Sequence, residues 1–131
     1  MFLGSELDEH ALAEISLRQL AMLGDAVFHL FERERQLLKS SSAREMHSRA
    51  RVSAKAQASL LAALMNVLSE REKDLVRRAR NVKPALYRRS EQSIYRQATA
   101  FEALLGYLYL TDNARLRVLL EKTTEFVGKT E

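Results

Sequence analysis

Two carboxylates stand alone inside otherwise apolar stretches of this sequence. Residues 98–110 read ATAFEALLGYLYL, where Glu102 is the only charge, and residues 20–30 read LAMLGDAVFHL, where Asp25 is the only acid. Helices this apolar are normally buried. An ionised carboxylate that is buried without a partner is strongly destabilising, so each acid must be paired, coordinated or neutralised.

Small residues accompany both acids, and this predicts that their helices pack closely. Gly24 precedes Asp25, and Gly106 lies one turn after Glu102. A glycine inside a helix costs about 1 kcal/mol relative to alanine, so Gly24 indicates a close approach by another helix or a ligand. Two carboxylates a few ångströms apart repel each other unless one takes up a proton or a cation lies between them. Oxygen ligands with open positions suit Mg²⁺.

Pairing with arginine is the more ordinary explanation for a lone acid in a core helix. Arg18 and Arg96 are the candidate partners. Structural ion pairs are common enough that spacing alone favours them over a metal site. From the residues alone, both interpretations stay open.

A strongly basic stretch lies between the two acids. Residues 77–89 read RRARNVKPALYRR, with six basic residues and no acid. Lysine and arginine bind a phosphate backbone by neutralising phosphates and releasing counterions, and Asn and Tyr add hydrogen bonds to sugars or bases. A second basic group, comprising Arg44, Arg49, Arg51 and Lys55, could extend this surface. An ordinary solvated face accounts for a basic run about equally well.

The elements that must position these side chains are predicted to be helices. The chain has 131 residues, 47% of them hydrophobic, with only 4 Gly and 1 Pro, and helix formers dominate. This composition predicts one all-α domain with a real core. Helices are expected at about 7–14, 16–38, 43–50, 53–67, 69–80, 90–110 and from 114 onward. In the second of these, Leu20, Leu23, Val27, Leu30 and Phe31 are expected to form the buried stripe.

Several classes of protein are excluded or disfavoured by the same residues. The sequence has no Cys, which rules out disulfides and thiolate chemistry, and its 3 His never form a metal-ligand spacing. The longest apolar run is too short to span a bilayer, so no membrane association is expected. The opening residues are acidic, unlike a secretory signal or transit peptide, which predicts a cytoplasmic location.

The two acidic stretches also resemble the motifs of a known family. LAMLGDAVFHLFERERQLL resembles the signature helix of the ribonuclease III family, and TAFEALLGYLYL resembles its second acidic motif. RVSAKAQA, followed by RRARN and YRQATAFEALLGYLYLTDN, is similar to the mini-ribonuclease III branch, which consists of the catalytic domain alone. The resemblance covers roughly residues 16–120. It implies the all-α ribonuclease III endonuclease fold, a single domain over 1–131, and no double-stranded-RNA-binding domain.

The resemblance carries an activity with it. It implies an endoribonuclease that hydrolyses double-stranded RNA with Mg²⁺, for which Mn²⁺ can substitute, and leaves 5′-phosphate and 3′-hydroxyl ends. It further implies a homodimer in which each subunit cuts one strand. In the mini-ribonuclease III branch the associated role is maturation of the large-subunit ribosomal RNA precursor, with a ribosomal protein as a conceivable helper.

Site residues follow position by position from the resemblance. Asp25 matches the signature-helix aspartate and Glu102 the metal-binding glutamate, so both are expected to be catalytic and to bind metal. Met22 matches a residue inserted into the partner subunit, although ordinary core packing is a slightly better explanation from sequence alone. Two further carboxylates of ribonuclease III proper are replaced here by Ala21 and Thr99, as in the mini branch.

The basic residues are expected to hold the duplex by its shape and backbone, because A-form RNA hides its major-groove edges. The candidate RNA-binding residues are Arg51, Lys55, Arg78, Arg80, Asn81, Lys83, Arg88 and Arg89. A non-catalytic helical RNA-binding relative is the alternative, since the two replaced carboxylates leave fewer metal ligands. His29, which stands where the mini branch usually has Glu, has an open role.

Overall fold

The computed structural model describes residues 6–82 and 89–126, and the secondary structure in these ranges is helical throughout. The all-α prediction is therefore confirmed. The elements in chain order are α1 (Glu9–Ala13), α2 (Leu17–Lys39), α3 (Ala43–Arg49), α4 (Ala54–Leu64), a 3₁₀ turn (Met65–Val67), α5 (Glu70–Arg80), α6 (Arg89–Thr111) and α7 (Asn113–Thr124). Within the same ranges, no helix is long and apolar enough to cross a membrane.

Serine side chains cap the N-termini of several of these helices, at the positions where the helices were predicted to start. Ser16 accepts a hydrogen bond from the Gln19 amide, and the Gln19 side chain accepts one from the Ser16 amide. Ser69 and Glu72 form the same reciprocal arrangement at the start of α5. Each cap satisfies backbone donors that the first helical turn leaves unpaired. The helix starts were readable from sequence because the signal is local.

Helix α6 is the centre of the fold and packs against α2, α4, α5 and α7. Its contact with α2 is a backbone-to-backbone approach through two glycines. A Cβ built on Gly24 would lie 1.6 Å from the carbonyl oxygen of Glu102, and one on Gly106 would lie 2.0 Å from the carbonyl oxygen of Leu20. The predicted close approach at Gly24 is thus made by α6, and it brings the backbone of Glu102 beside Asp25.

The buried face of α2 differs from the predicted stripe. Leu20 is buried as expected, but Leu30 is 50% exposed, while Phe28 is fully buried and packs edge-on against Phe101 with ring centroids 5.0 Å apart. The buried residues of α2 are Leu20, Ala21, Gly24, Phe28, Glu32 and Gln36. Most of them recur every fourth residue along the helix, and two of them, Glu32 and Gln36, are polar. A prediction that considers apolar residues alone therefore misses this buried face.

The polar part of this buried face is an internal ion pair, and it corrects the prediction for Arg51. Arg51 is 9% exposed; its guanidinium and backbone N–H donate to the fully buried Glu32 carboxylate, and one nitrogen donates to the Thr123 carbonyl. Burial alone would raise the pKa of Glu32, but hydrogen bonds from Arg51 and Arg35 outweigh it and hold that pKa below its usual range. Arg51 therefore ties α2 to α7 instead of lying on an RNA-facing surface.

Candidate active site

Asp25 and Glu102 meet at the crossing of α2 and α6. Asp25 follows Gly24, which leaves no room for a Cβ against the Glu102 backbone, so the helix contact itself places the two acids side by side. The Asp25 side chain is 49% exposed, whereas Glu102 is mostly withdrawn from solvent and hydrogen-bonds to Asp25. The two lone acids of the sequence thus share one location.

The proximity of the two acids makes it unfavourable for both to be ionised, and this appears as a raised pKa of Glu102. The pKa of Glu102 is raised to about 9, first because burial removes its carboxylate from water and then because Asp25 adjoins it. An arginine partner would lower that pKa, so arginine pairing does not explain Glu102. Near neutral pH, without a cation, the Glu102 carboxyl therefore holds a proton.

An open pocket of about 320 Å³ gives access to the pair. Its lining residues are Arg18, Ala21, Met22, Asp25, Val82, Tyr95, Thr99 and Glu102. Ala21 and Thr99, the positions of the two replaced carboxylates, therefore face the same pocket as the two acids that remain. Their substitution leaves space beside the pair.

His29 lies one helical turn beyond Asp25, on the same face of α2. Its Nε2 is 3.3 Å from an Asp25 carboxylate oxygen, and its side chain is 37% exposed. The imidazole adjoins the partner of Glu102 from the solvent side. The contact with Asp25 is the interaction that the structure gives for His29 near the two acids, and it does not make His29 a metal ligand.

The raised pKa of Glu102 makes the metal-free protein less stable as pH rises. Between the ordinary value of 4.5 and about 9, the folded state holds a proton that the unfolded state has lost. We therefore expect the free energy of unfolding in EDTA to fall through this window, by at most about 1.4 kcal/mol per pH unit. Urea unfolding of the wild type and of Glu102→Gln at pH 6, 7 and 8 measures the effect as the difference between their free energies of unfolding. Contributions from histidine titration are common to both proteins and cancel in that difference. Parallel pH profiles for the two proteins would contradict the raised pKa of Glu102.

The donor set at the pair fits a hard divalent cation that keeps open positions. Two adjacent carboxylates supply oxygen ligands of the kind Mg²⁺ and Mn²⁺ prefer, and a cation offsets the repulsion that otherwise forces a proton onto Glu102. In the described ranges, no three His, Cys, Asp or Glu side chains are grouped to hold a metal by themselves. Waters and a substrate phosphate would have to supply the remaining ligands.

A second cleft, of about 560 Å³, lies between α5 and the first turns of α6. It is lined by Arg77, Arg80, Asn81, Gln92, Ser93, Arg96 and Gln97, without a carboxylate. The Arg96 Nε is buried and makes no hydrogen bond to the described residues. This cationic cleft adjoins the pocket because Tyr95 and Thr99 of the same helix line the pocket. Sequence reasoning placed Arg80 and Asn81 on such a surface but read Arg96 as a partner for the acids.

The other predicted RNA-binding residues are spread over several places. Lys55 is exposed near the start of α4. Arg77 and Arg78 are both paired with Asp74, but Arg78 lines a different pocket beside α1, whereas Arg77 lines the cationic cleft. Lys83, Arg88 and the side chain of Arg89 lie outside the described residues.

One residue of the site carried no sequence signal. Gln57 of α4 is 2% exposed, and its amide lies close enough to Glu102 to lower the pKa of that carboxyl slightly. The contact falls short of a full hydrogen bond, because the Gln57 Nε2 has no described partner at hydrogen-bonding distance and angle. Only the packing of α4 on α6 reveals this proximity.

Comparison with known proteins gives a consistent picture. A family model described as a ribonuclease III domain matches residues 18–113. The chain is 44% identical over 122 residues to the Mini-ribonuclease 3 of Gloeobacter violaceus, covering 92% of this chain and 90% of that protein. It is 39% identical over 126 residues to the Mini-ribonuclease 3 of Thermoanaerobacter sp., covering 92% and 89%.

A solved structure has a similar fold. The crystal structure of a Fusobacterium nucleatum protein superposes with a TM-score of 0.76 at 28% identity, covering 87% of this chain and 95% of that one. The matched family segment contains both acids and all the residues that line the pocket and the cationic cleft.

Proposed function

Because this chain belongs to the ribonuclease III family and is an endoribonuclease of that family, we propose that it hydrolyses double-stranded RNA with a divalent cation, Mg²⁺ or Mn²⁺, held by Asp25 and Glu102. The observation that carries the proposal is the carboxylate pair itself. Two acids forced together by a glycine-mediated helix contact, in an open pocket, are an arrangement that a cation stabilises and that a core has no structural need for.

The chain's own residues have distinct tasks in this mechanism. Asp25 and Glu102 would hold the cation, which when bound would polarise a phosphate and lower the pKa of a water. Glu102 must give up its proton for this, and its withdrawn position strengthens the electrostatic attraction that replaces that proton. Ala21 and Thr99 leave room for the waters and phosphate oxygens that complete the coordination.

We propose that the cationic cleft binds the phosphate backbone of the RNA. Its arginines and amides match phosphate and ribose, and its lining includes Arg96, whose buried Nε has no described partner. The cleft adjoins the pocket along α6, so one strand could occupy both. Arg80 and Asn81 keep the role predicted for them, whereas Arg77 and Arg96 are added to it.

Reversing one charge in the cleft should weaken RNA binding through salt-dependent contacts. We expect Arg80→Glu to reduce duplex affinity about tenfold and to lower the slope of log K against log salt by about 1, because one phosphate contact is lost. Arg78→Glu, two residues away but outside the cleft, is the matched control. It should change the duplex affinity and the salt slope less than Arg80→Glu does. Fluorescence anisotropy in EDTA measures binding without cleavage. Equal effects of the two variants would show that the cleft is not the contact surface.

Met22 supports the proposal that the chain forms a homodimer. Its side chain is 76% exposed and lines the pocket, so it is available for contact with a second copy of the chain. The core-packing alternative for Met22 is wrong. We expect Met22→Glu to shift the protein toward monomer in sedimentation velocity, while Val118→Glu on α7 leaves it a dimer. A wild-type chain that sediments only as a monomer would contradict the dimer.

A more specific role comes from the resemblance alone. We propose the large-subunit ribosomal RNA precursor as the substrate, with the protein acting in the cytoplasm. A ribosomal protein as helper is part of the same prediction. Comparing rRNA 5′ ends in cells with and without this protein tests it.

Cleavage of a defined duplex tests the enzyme proposal against a non-catalytic RNA-binding protein. Double-stranded RNA, single-stranded RNA and double-stranded DNA are incubated with the protein in Mg²⁺ or EDTA, and the product ends are mapped. The proposal predicts cleavage of the RNA duplex only, in Mg²⁺ only, with 5′-phosphate and 3′-hydroxyl ends. Binding of the duplex without cleavage in any divalent cation would favour the alternative.

A further inference from the structure

Gln57 is a buried polar group with an unused donor. Its side chain is 2% exposed, in the layer between α4 and α6, and its Nε2 donates to no described atom. More than nine in ten buried polar groups have a partner, and a missing one costs about 1–3 kcal/mol. A donor left unsatisfied in a core either reduces stability for no benefit or has a partner in another state of the site.

The surroundings of Gln57 identify that partner. The amide lies next to the carboxyl of Glu102, which lines the pocket. In the metal-free protein Glu102 is hydrogen-bonded to Asp25, which engages it on the α2 side. A carboxyl group has about four lone-pair sites on its two oxygens, so Glu102 can accept a hydrogen bond from a donor on α4 while its other lone pairs face Asp25 or a cation.

We propose that Gln57 is a positioning residue of the metal centre: its amide donates a hydrogen bond to the Glu102 carboxylate when that group binds a divalent cation. This inference rests on the proposed metal site. Residues that hydrogen-bond to metal ligands fix their orientation, and losing one typically weakens metal binding 10- to 100-fold. The unsatisfied Nε2 is then the cost of a site prepared for its bound state.

The proposal makes opposite predictions for stability and for metal binding. Gln57→Met keeps the length of the side chain and removes the amide. Its melting temperature in EDTA should equal or exceed that of the wild type, because an unpaired buried donor is removed. Its dissociation constant for Mn²⁺, measured by electron paramagnetic resonance without RNA, should rise about tenfold. The Mg²⁺ concentration for half-maximal cleavage should rise similarly, with the saturated rate little changed.

Gln36 provides a matched control. It is a buried glutamine of α2, 4% exposed, and lies eleven residues beyond Asp25 in the helix. Unlike Gln57, it has a hydrogen bond, because its Oε1 accepts from the Ser40 hydroxyl. Gln36→Met should lower the melting temperature in EDTA and leave Mn²⁺ binding unchanged. The two substitutions thus separate loss of a structural hydrogen bond from loss of a positioning one.

Three results would overturn or redirect the inference. Unchanged Mn²⁺ binding by Gln57→Met would refute the positioning role. A lower melting temperature in EDTA, like that of Gln36→Met, would show that the amide is a structural group. Wild-type Mn²⁺ binding by Asp25→Asn and Glu102→Gln would instead refute the metal site itself, which distinguishes that failure from one confined to Gln57.

Discussion

Glu102→Gln is expected to lower the cleavage rate of an RNA duplex about 10³-fold or more while the protein keeps its fold. Glutamine has the shape of the protonated glutamic acid that the metal-free protein already contains. The substitution therefore changes nothing in the packing but removes the charge that holds a cation. A 10³-fold loss corresponds to about 4 kcal/mol of transition-state stabilisation.

Single-turnover cleavage in saturating Mg²⁺ measures this effect, with duplex affinity in EDTA as a second readout that should not change. Asp25→Asn should behave in the same way. Glu121→Gln, an exposed acid of α7, is the control for loss of one negative charge. If Glu102→Gln retained a tenth or more of the wild-type rate, the carboxylate would not be a metal ligand needed for the reaction.

Gly24→Ala is expected to destabilise the protein by about 3 kcal/mol or more, or to prevent folding. The added methyl would lie 1.6 Å from the Glu102 carbonyl oxygen and 2.9 Å from the Gly106 amide nitrogen. These atoms belong to the backbone of α6, so no side chain can turn aside, and the helices must separate. Overpacking of this kind costs 1–3 kcal/mol or more.

Helix propensity alone predicts the opposite sign at this position. Alanine stabilises a helix interior by about 1 kcal/mol relative to glycine. The reverse change at the exposed neighbour, Ala26→Gly, isolates that contribution and should cost about 1 kcal/mol. Urea unfolding of both variants gives the comparison. A Gly24→Ala protein as stable as the wild type would show that α2 and α6 do not approach as described.

Local signals made most of the fold predictable. Ser16 and Ser69 cap α2 and α5 where those helices were expected to start, and the interrupted apolar runs revealed the two acids. The glycine beside Asp25 indicated a close helix contact, which is the feature that brings the acids together. The family resemblance supplied the assignment of the pair as catalytic, which spacing alone left open against arginine pairing.

Long-range pairing accounts for what sequence reasoning missed. Glu32 counts as polar, yet it occupies the buried face of α2, because Arg51 reaches it from nineteen positions away. The same ion pair removes Arg51 from the predicted RNA surface. Gln57 became part of the site only through the packing of α4 on α6. Nothing in the periodicity of one helix encodes such a contact with another.

Calorimetric titration of the RNA-free protein with Mn²⁺ at pH 7 tests the central claim most directly, because a cation that replaces the proton shared by Asp25 and Glu102 must release it. Titrations in two buffers of different ionisation enthalpy count the protons. The wild type should bind the metal and release about one proton, whereas Glu102→Gln should bind it more weakly and release none. Equal binding by both proteins, or binding by the wild type without proton release, would contradict the account.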